Sequence, residues 1–308
     1  MFRDNVNRIM ATQKQIEATY DYMDDIFRLS LGDHADISAA MYDGDFSLTL
    51  EQAQKKKHDF ILDSLHIKRG DRVLEVGCGW GPMLAAIRER GAIGLGLTLS
   101  PAQTAACQAD GLNAILKDFK ELDPNEGVFD AVVAVGPLEH FCSIEEFKAG
   151  KQDQIYDAFF KKCSQMLKPG GRLYLQTMLW GKRVPKPEEF DVNARKLSDN
   201  WVMGHLEKYY PGSWLPSGLE QLQKCADPYF AFISENNGRL DYIQTLKEWG
   251  RKTLKFSFKK LWLVLKLLPK YIFDKNFRYQ IVSFWYSCNQ LVFEREIFTH
   301  QRTVFEKK

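Results

Sequence analysis

Between residues 66 and 180 the chain alternates short apolar runs with longer segments of helical spacing. An apolar run bounded by turn residues is typical of a buried strand, and repeated strand–helix units predict a parallel sheet with right-handed crossovers. The predicted strands are Arg72–Gly77, Ile93–Leu97, Ala114–Leu116, Phe129–Val135 and Arg172–Gln176, and the helices between them are Met83–Arg90, one that begins near Ser100, and Tyr156–Met166. This order predicts an α/β fold with a Rossmann-like sheet.

The segments on either side of this region have a different pattern. The first 65 residues are predicted to be helical, 182–218 is a loop-rich lid, and 242–293 is a long helical insertion. Further strands are predicted near 229–234 and at 303–305. We therefore divide the chain into a helical N-terminal cover (1–65), a Rossmann-like core (66–180), a lid with a helical insertion (181–295), and the last strand of the core sheet (296–308).

Composition narrows the class of protein. The 308 residues are 45% hydrophobic and 27% charged, with a formal net charge of +2. These values are typical of a globular protein and do not favour nucleic acid as a partner. The six cysteines form no C-x-x-C pair, so we expect neither a metal site nor disulfides. The sequence shows no signal-peptide run and no charge-free segment of membrane-spanning length, so we expect a cytoplasmic location.

Glycines at alternate positions follow the first predicted strand directly. The turn contains Glu75, Gly77, Gly79 and Gly81 in the spacing E-x-G-x-G-x-G. Glycine permits positive φ and lets a ligand approach the backbone, and in parallel sheets ligands bind at the carboxyl ends of strands. The spacing differs from the dinucleotide motif G-x-G-x-x-G, which favours S-adenosylmethionine (SAM) over NAD. A tight turn without a ligand is the alternative interpretation.

The end of the second predicted strand carries no acidic residue. Many nucleotide-binding proteins place a carboxylate there to bind the ribose hydroxyls. Here the neutral side chains Thr98 and Gln103 could supply those hydrogen bonds. Equally, Ser100 and Gln103 could simply belong to the start of a helix.

A carboxylate and an imidazole follow the fourth predicted strand, at Glu139 and His140. Such groups are poor core residues, and this position lies in the crevice beside the glycine turn. Glu139 could act as a base, hold a basic ion, or offset a positive sulfonium. If the backbone stays extended, His140 points away from that crevice. We therefore favour Glu139 as the functional residue, with a hydrogen-bonded structural role as the alternative for His140.

Together these motifs resemble the cyclopropane fatty acid synthase and mycolic acid methyltransferase family, which is SAM-dependent. The resemblance rests on the glycine turn 75–81, on Gly96-Leu-Thr-Leu-Ser-x-x-Gln103, and on Glu139-His-Phe141. It extends over most of the chain, through segments 20–29, 50–56, 156–161, 210–212, 215–216 and 241–249. It implies a seven-stranded SAM-methyltransferase sheet with a helical N-terminal cover and an insertion that forms the acyl-chain pocket.

The resemblance also implies roles for single residues. In the cofactor site, Glu75, Gly77, Gly79 and Gly81 belong to the turn at the methionine part of SAM, Thr98 and Gln103 bind the ribose, Ser38 closes the pocket, and Phe119 lies at the adenine. A bound bicarbonate is the general base proposed for the family, held by a cysteine, a glutamate, a histidine and a tyrosine. Glu139 and Tyr242 match two of these positions, whereas Ala39 and Gln176 replace the cysteine and the histidine.

Three functions remain open at this point. The first is methylation of an unsaturated lipid acyl chain, in which Glu139, Tyr242, Gln176 and His140 are the candidate catalytic residues. Aromatic rings such as Tyr20, Trp80 and Tyr242 could stabilise the resulting carbocation. Because cyclopropane formation needs a base, the two replaced positions leave ring closure open. The second is N- or C-methylation of a small molecule, as in the related plant alkaloid enzymes. The third is a SAM- or lipid-binding module without catalysis.

Within the insertion, Arg251–Lys270 contains seven basic and no acidic residues. On one continuous helix, Lys252, Lys255, Lys259 and Lys266 would share a face, opposite a face of leucine and phenylalanine. Such a helix can lie in a membrane interface with its lysines at anionic headgroups. An ordinary amphipathic helix that covers the substrate pocket is the alternative.

Overall fold

The computed structural model describes Leu31 and residues 35–124, 127–210 and 212–308. Its centre is a seven-stranded sheet in the order β3-β2-β1-β4-β5-β7-β6. Strands β1 to β5 are parallel, and β7 runs antiparallel between β5 and β6. The strands are β1 (Arg72–Val76), β2 (Ile93–Thr98), β3 (Ala114–Leu116), β4 (Phe129–Val135), β5 (Leu167–Trp180), β6 (Phe230–Asn237) and β7 (Phe298–Lys307).

Helices flank both faces of this sheet and form the insertion before β7. In chain order they are α1 (Leu50–Ser64), α2 (Pro82–Glu89), α3 (Pro101–Ala109), α4 (Ile144–Lys148), α5 (Gln152–Met166), α6 (Asp199–Tyr209), α7 (Leu219–Ala226), α8 (Arg239–Leu254), α9 (Phe258–Phe273), α10 (Lys275–Trp285) and α11 (Cys288–Glu294). The larger apolar core lies between the sheet and helices that include α5, α6 and α7, and a second core lies between the sheet and α1 and α2. The apolar strands are buried because helices cover both faces.

The three strands at the antiparallel edge are longer than the sequence pattern predicts. β5 and β7 pair continuously, from Arg172 opposite Glu306 to Trp180 opposite Phe298. Both strands bury polar side chains, including Gln176, His300 and Arg302. Because these polar residues interrupt the apolar pattern, the predicted strands at 172–176, 229–234 and 303–305 were too short.

The insertion is a set of separate helices, and the prediction of one amphipathic helix over Arg251–Lys270 was wrong. α8 ends at Leu254, and α9 begins after Ser257, whose side chain accepts a hydrogen bond from the Lys260 N–H. A serine cap of this kind starts a new helix. Lys252 therefore lies on α8 and Lys255 between the helices, so the four lysines do not share one helical face.

The described part of the N-terminal cover is attached to the sheet by a buried ion pair. Arg302 Nη1 donates to Asp241 Oδ2 at 2.8 Å, and Arg302 Nη2 donates to the Ala40 carbonyl at 2.8 Å. Asp241 Oδ1 accepts from the N–H groups of Tyr42 and Asp43 at 3.1 and 2.9 Å. These bonds place the segment at 38–43 over the carboxyl ends of the strands. Tyr20, the rest of the motif at 20–29, and Pro211 lie outside the described residues.

Candidate active site

A cavity of about 540 Å³ opens at the carboxyl ends of the parallel strands. Most of the residues predicted from the sequence line it, although they come from distant parts of the chain. These are Ser38, Gly77, Gly79, Thr98, Gln103, Phe119, Glu139, His140, Gln176 and Tyr242. The topology therefore brings the predicted cofactor residues and the predicted catalytic residues to one cavity.

Two predicted residues lie elsewhere. Glu75 lines a smaller adjoining cavity, together with Gly77, Gly79 and Ser38. Gly81 lines neither cavity. A Cβ at Gly81 would lie 2.6 Å from Leu112 Cδ1, so this glycine permits close packing rather than contact with a ligand. Its prediction as a cofactor-binding residue is corrected on that ground.

The glycine turn has the backbone geometry that its sequence predicts. Gly77 and Gly79 have φ angles of +78° and +54°, which side chains rarely adopt. The N–H groups of Gly77 and Cys78 donate to the Leu97 carbonyl at 3.0 and 2.8 Å, which attaches the turn to β2. A Cβ at Gly79 would meet no atom within 4 Å, so open space lies beside the backbone there. This turn can accommodate a ligand in direct contact with its backbone.

Glu75 is a buried carboxyl group with one oxygen that accepts no hydrogen bond from the described residues. It is 3% exposed, and Oε2 has no hydrogen-bond partner among the described residues. Burial raises the pKa of Glu75 well above its usual range. Since a buried polar atom is rarely left unpaired, a donor group in the adjoining cavity would complete the site. The amino group of SAM's methionine part fits that requirement.

A buried cluster supports the cofactor side of this site, and sequence reasoning missed it. Lys57 forms an ion pair with Asp36 and donates to Ser38 Oγ at 2.5 Å. His58 Nε2 lies 2.9 Å from the same Asp36 carboxylate. Although burial alone would raise the pKa of Asp36, Lys57 and His58 hold it well below its usual range. Lys57 lies in a run of three lysines, and that run gives no signal that one of its members pairs with Asp36.

At the end of β2 the structure agrees with both interpretations of the sequence. Ser100 and Gln103 belong to a helix start, and Thr98 and Gln103 also line the cavity. Ser100 caps α3 by accepting from the Gln103 N–H at 3.3 Å. Thr98 Oγ1 donates to Gln103 Oε1 at 2.6 Å, and both side chains are buried at the cavity wall. The helix start therefore presents a prearranged polar pair to the cavity. Phe119 lines the same cavity and packs on Phe159, with ring centroids 5.7 Å apart.

The segment after β4 is a 3-10 turn, Pro137–His140, rather than extended backbone. Glu139 and His140 consequently both line the cavity, so the expectation that His140 points away was wrong. Glu139 Oε1 accepts from the Met178 N–H at 2.7 Å, and burial raises the pKa of Glu139 to about 8. His140 Nδ1 lies 3.0 Å from Ser213 Oγ, and burial lowers the pKa of His140 to about 4. At neutral pH the site therefore presents a protonated carboxyl group and a neutral imidazole.

The remaining candidates lie on β5 and α8. Gln176 Nε2 donates to the Ala39 carbonyl at 3.3 Å, and its Oε1 accepts from the Tyr174 hydroxyl at 3.1 Å. Tyr242 is the one residue of the insertion among the described residues that line the large cavity. Trp80 lines the smaller cavity, so it stands apart from Tyr242, contrary to their predicted shared role.

The residues present do not reproduce the bicarbonate holders that the resemblance implies. Ala39 has no polar side chain, and the amide of Gln176 is already bonded at both its nitrogen and its oxygen. Glu139 and Tyr242 alone match. The described site therefore does not fit a bound bicarbonate as its general base.

Comparison with known proteins places this site in a family. The family model described as mycolic acid cyclopropane synthetase matches residues 8–280. The chain belongs to this family. Hydroxymycolate synthase MmaA4 of Mycobacterium tuberculosis is 30% identical over 247 residues, which are 77% of each chain. Cyclopropane-fatty-acyl-phospholipid synthase of Escherichia coli is 29% identical over 76% of this chain and 55% of its own length.

Solved structures agree with this assignment. Mycolic acid cyclopropane synthase CmaA1 complexed with SAH and CTAB superposes with a TM-score of 0.73 at 25% identity, covering 96% of this chain and 98% of that one. Coclaurine N-methyltransferase has the same TM-score at 14% identity, covering 97% of this chain and 83% of that one, and shows a shared fold only. The predicted family, the Rossmann-like fold and an enzyme of the SAM-dependent methyltransferase class are thereby confirmed, with SAM as the cofactor.

Proposed function

We propose that this enzyme methylates an unsaturated acyl chain of a lipid. The observation that carries the proposal is the single cavity of about 540 Å³, which joins the glycine turn to Glu139 and Tyr242. The cavity wall includes apolar side chains such as Val135 and Met178. Ligand pockets of this size and character bind mostly apolar molecules with a few polar anchors. The family, whose members include cyclopropane fatty acyl synthases, supports the same substrate class.

In this proposal the chain mostly positions the reactants and excludes water. Bound SAM supplies an electrophilic methyl group on a positive sulfur. Gly77 and Gly79 allow close approach of its methionine part, Glu75 accepts from its amino group, and the Thr98–Gln103 pair faces its ribose. Methylation of an alkene leaves a positive charge on the acyl chain, which the face of the Tyr242 ring can stabilise. Glu139, protonated at neutral pH, places no negative charge beside the sulfonium, and its Oε1 accepts from the Met178 N–H.

Lipid mass spectrometry tests this function. Cells that express the chain are fed methionine with a fully deuterated methyl group, and their lipids are compared with those of cells carrying an empty vector. Retention of three deuterons on an acyl chain would identify a methyl branch, and retention of two would identify a methylene group or a ring. Label that enters only small amines would instead support the alkaloid type of N-methyltransferase. SAM binding by the purified protein without any labelled product would support a binding module.

The variant Glu139→Gln tests the role of this carboxyl group. Glutamine keeps the size, the neutral charge and the acceptor for the Met178 N–H, so we expect SAM affinity and turnover at neutral pH to stay within about tenfold of the wild type. A loss of turnover of about 10²-fold or more would show that Glu139 itself transfers a proton. Calorimetry with SAM and product formation measure the two effects separately. If SAM binding collapses together with turnover, Glu139 belongs to the cofactor site, and its proposed role is wrong.

We further propose that α9 docks on an anionic membrane surface, from which the enzyme takes its acyl chain. Phe258, Trp262, Leu265 and Phe273 are between 59% and 85% exposed, whereas Leu263 is buried. The helix has four lysines and no acidic residue. Exposed aromatic side chains beside lysines suit the boundary between headgroups and acyl chains. None of its residues lines the large cavity, which supports docking over the alternative of a pocket cover.

Vesicle sedimentation tests this docking. We expect the protein to bind vesicles that contain phosphatidylglycerol and to bind pure phosphatidylcholine weakly. The double variant Phe258→Ser/Trp262→Ser should reduce binding to the anionic vesicles by about tenfold or more. Ile93→Ser, at an exposed apolar position on β2, is the matched control and should bind like the wild type. Equal binding by the double variant and the wild type would overturn the docking proposal. Among the described residues, no helix is long and apolar enough to cross a bilayer.

A further inference from the structure

His300 on β7 is a buried histidine at the wall of the large cavity. It is 2% exposed, and its Nδ1 has no hydrogen-bond partner among the described residues. Nδ1 lies against the backbone of Gly238, where a Cβ would be only 2.5 Å away. The other ring nitrogen, Nε2, is therefore at the far end of the ring from this contact. Buried polar side chains without a partner are rare in native proteins, and each calls for a functional explanation.

The register of the sheet places His300 beside the residue that replaces the family's histidine. Met178 pairs with His300, and Gln176 pairs with Arg302. Directly paired residues and residues two apart on a strand point to the same face, so His300 is a diagonal neighbour of Gln176, about 7–8 Å away. Met178 is also the residue whose N–H binds Glu139. The neighbouring strand β7 thus places an imidazole in the part of the cavity where Gln176 replaces the family's histidine.

The other candidates on this wall are less suited to accept a proton. Gln176 is not a base, and its amide is bonded at both ends. Glu139 holds its proton at neutral pH, and the His140 ring lies against Tyr210, with centroids 6.3 Å apart. The Tyr242 ring lies close to His300, with centroids 5.2 Å apart. His300 is therefore next to the ring that would stabilise the acyl cation.

We propose that His300 is the general base that removes a proton from the methylated acyl chain. The inference rests on the proposed lipid function. The new C–C bond to the methyl carbon forms as its C–S bond breaks, which leaves a carbocation on the acyl chain. A proton of the new methyl group passes to His300 Nε2 and its C–H electron pair closes a cyclopropane ring, or a proton on the carbon next to the cation passes to Nε2 and its electron pair forms a double bond. The imidazolium then returns its proton to solvent, so no further reactant is needed.

The surroundings of His300 keep its ring unprotonated before this step. Burial, together with the positive charges of Arg302 and Lys57, holds the pKa of His300 well below its usual range. The ring is therefore neutral at physiological pH and can accept a proton. A weak base suffices, because a carbocation is a far stronger acid than an imidazolium.

The test compares His300→Gln with the double variant His300→Gln/Gln176→His on an unsaturated acyl phospholipid. We expect His300→Gln to keep its SAM affinity and to lose about 10²-fold in the products formed by proton removal, which are the ring or the methylated alkene. The carbocation should then be captured partly by water, so the share of hydroxylated product should rise. The double variant has a histidine at position 176 on β5, and it should form at least about tenfold more of the ring or the methylated alkene than His300→Gln. If the role of His300 were purely structural, His300→Gln would leave the product ratio unchanged, and the double variant would recover no product.

His205→Gln is the matched control, since His205 is a buried histidine on α6 that does not line the cavity. We expect its product ratio to equal that of the wild type. If His300→Gln does not fold, His300→Asn replaces it in the same comparisons. Unchanged turnover and product ratio in a folded His300 variant would overturn the role of His300 and leave the lipid function standing. A wild-type protein that never methylates acyl lipids would overturn both.

Discussion

Gly79→Ala offers a sharp test of the cofactor site, because it separates backbone strain from loss of ligand space. Gly79 has a φ of +54°, and a Cβ there would meet no atom within 4 Å. Alanine should therefore cost about 1–2 kcal/mol through the left-handed backbone alone, with no clash inside the protein. Its methyl group would occupy the open space beside the turn, where we place SAM.

Gly150→Ala is the matched control. Gly150 is exposed between α4 and α5 and has a φ of +69°, and a Cβ at this position would also meet no atom within 4 Å. Both variants should thus lose similar free energy of unfolding without SAM. Only Gly79→Ala should lose SAM affinity, by at least about tenfold, or about 1.4 kcal/mol.

Urea unfolding with and without SAM measures both effects. At a SAM concentration about 100 times the wild-type Kd, the ligand should stabilise the wild type and Gly150→Ala by about 2.7 kcal/mol. A tenfold weaker affinity would reduce this stabilisation to about 1.4 kcal/mol in Gly79→Ala at the same concentration. The reasoning is refuted if SAM stabilises both variants equally, or if Gly79→Ala alone is destabilised well beyond its control without SAM.

Three other perturbations test the groups around the cavity. Lys57→Met should lower the free energy of unfolding by about 3–5 kcal/mol, because the buried Asp36 carboxylate loses its lysine partner and keeps only His58 and Ser38. Asp36→Asn/Lys57→Met should lose less than the single variant in the same urea titration. Glu139 has a folded pKa of about 8 against an ordinary value of 4.5, so the folded state binds its proton more tightly and stability should fall as pH rises from 4.5 to 8. Glu139→Gln should lack that part of the pH dependence, and identical profiles would contradict the raised pKa. Gly81→Ala should be less stable than Gly79→Ala by about 1–3 kcal/mol, since its Cβ would lie 2.6 Å from Leu112, and calorimetric melting of the two variants measures the difference.

The cofactor turn could be predicted from the sequence because its geometry is local. Alternate glycines after an apolar strand specify positive φ and close approach within a few residues, as Gly77 and Gly79 confirm. The parallel strands could be found for the same reason, since β1 and β4 are largely apolar runs. The helix break at Ser257 was missed, because the surrounding apolar and basic residues continue the helical spacing across it.

By itself, the sequence determined the α/β class, the SAM turn, and the carboxyl group that follows β4. Only the tertiary structure decided which groups meet in the cavity. His300 faces it through the register of β5 and β7, strands more than a hundred residues apart in the sequence, and the Asp36–Lys57 pair joins a loop to a helix across buried space. Such pairings depend on how the strands align and how the core packs. No local pattern of apolar and polar residues encodes them.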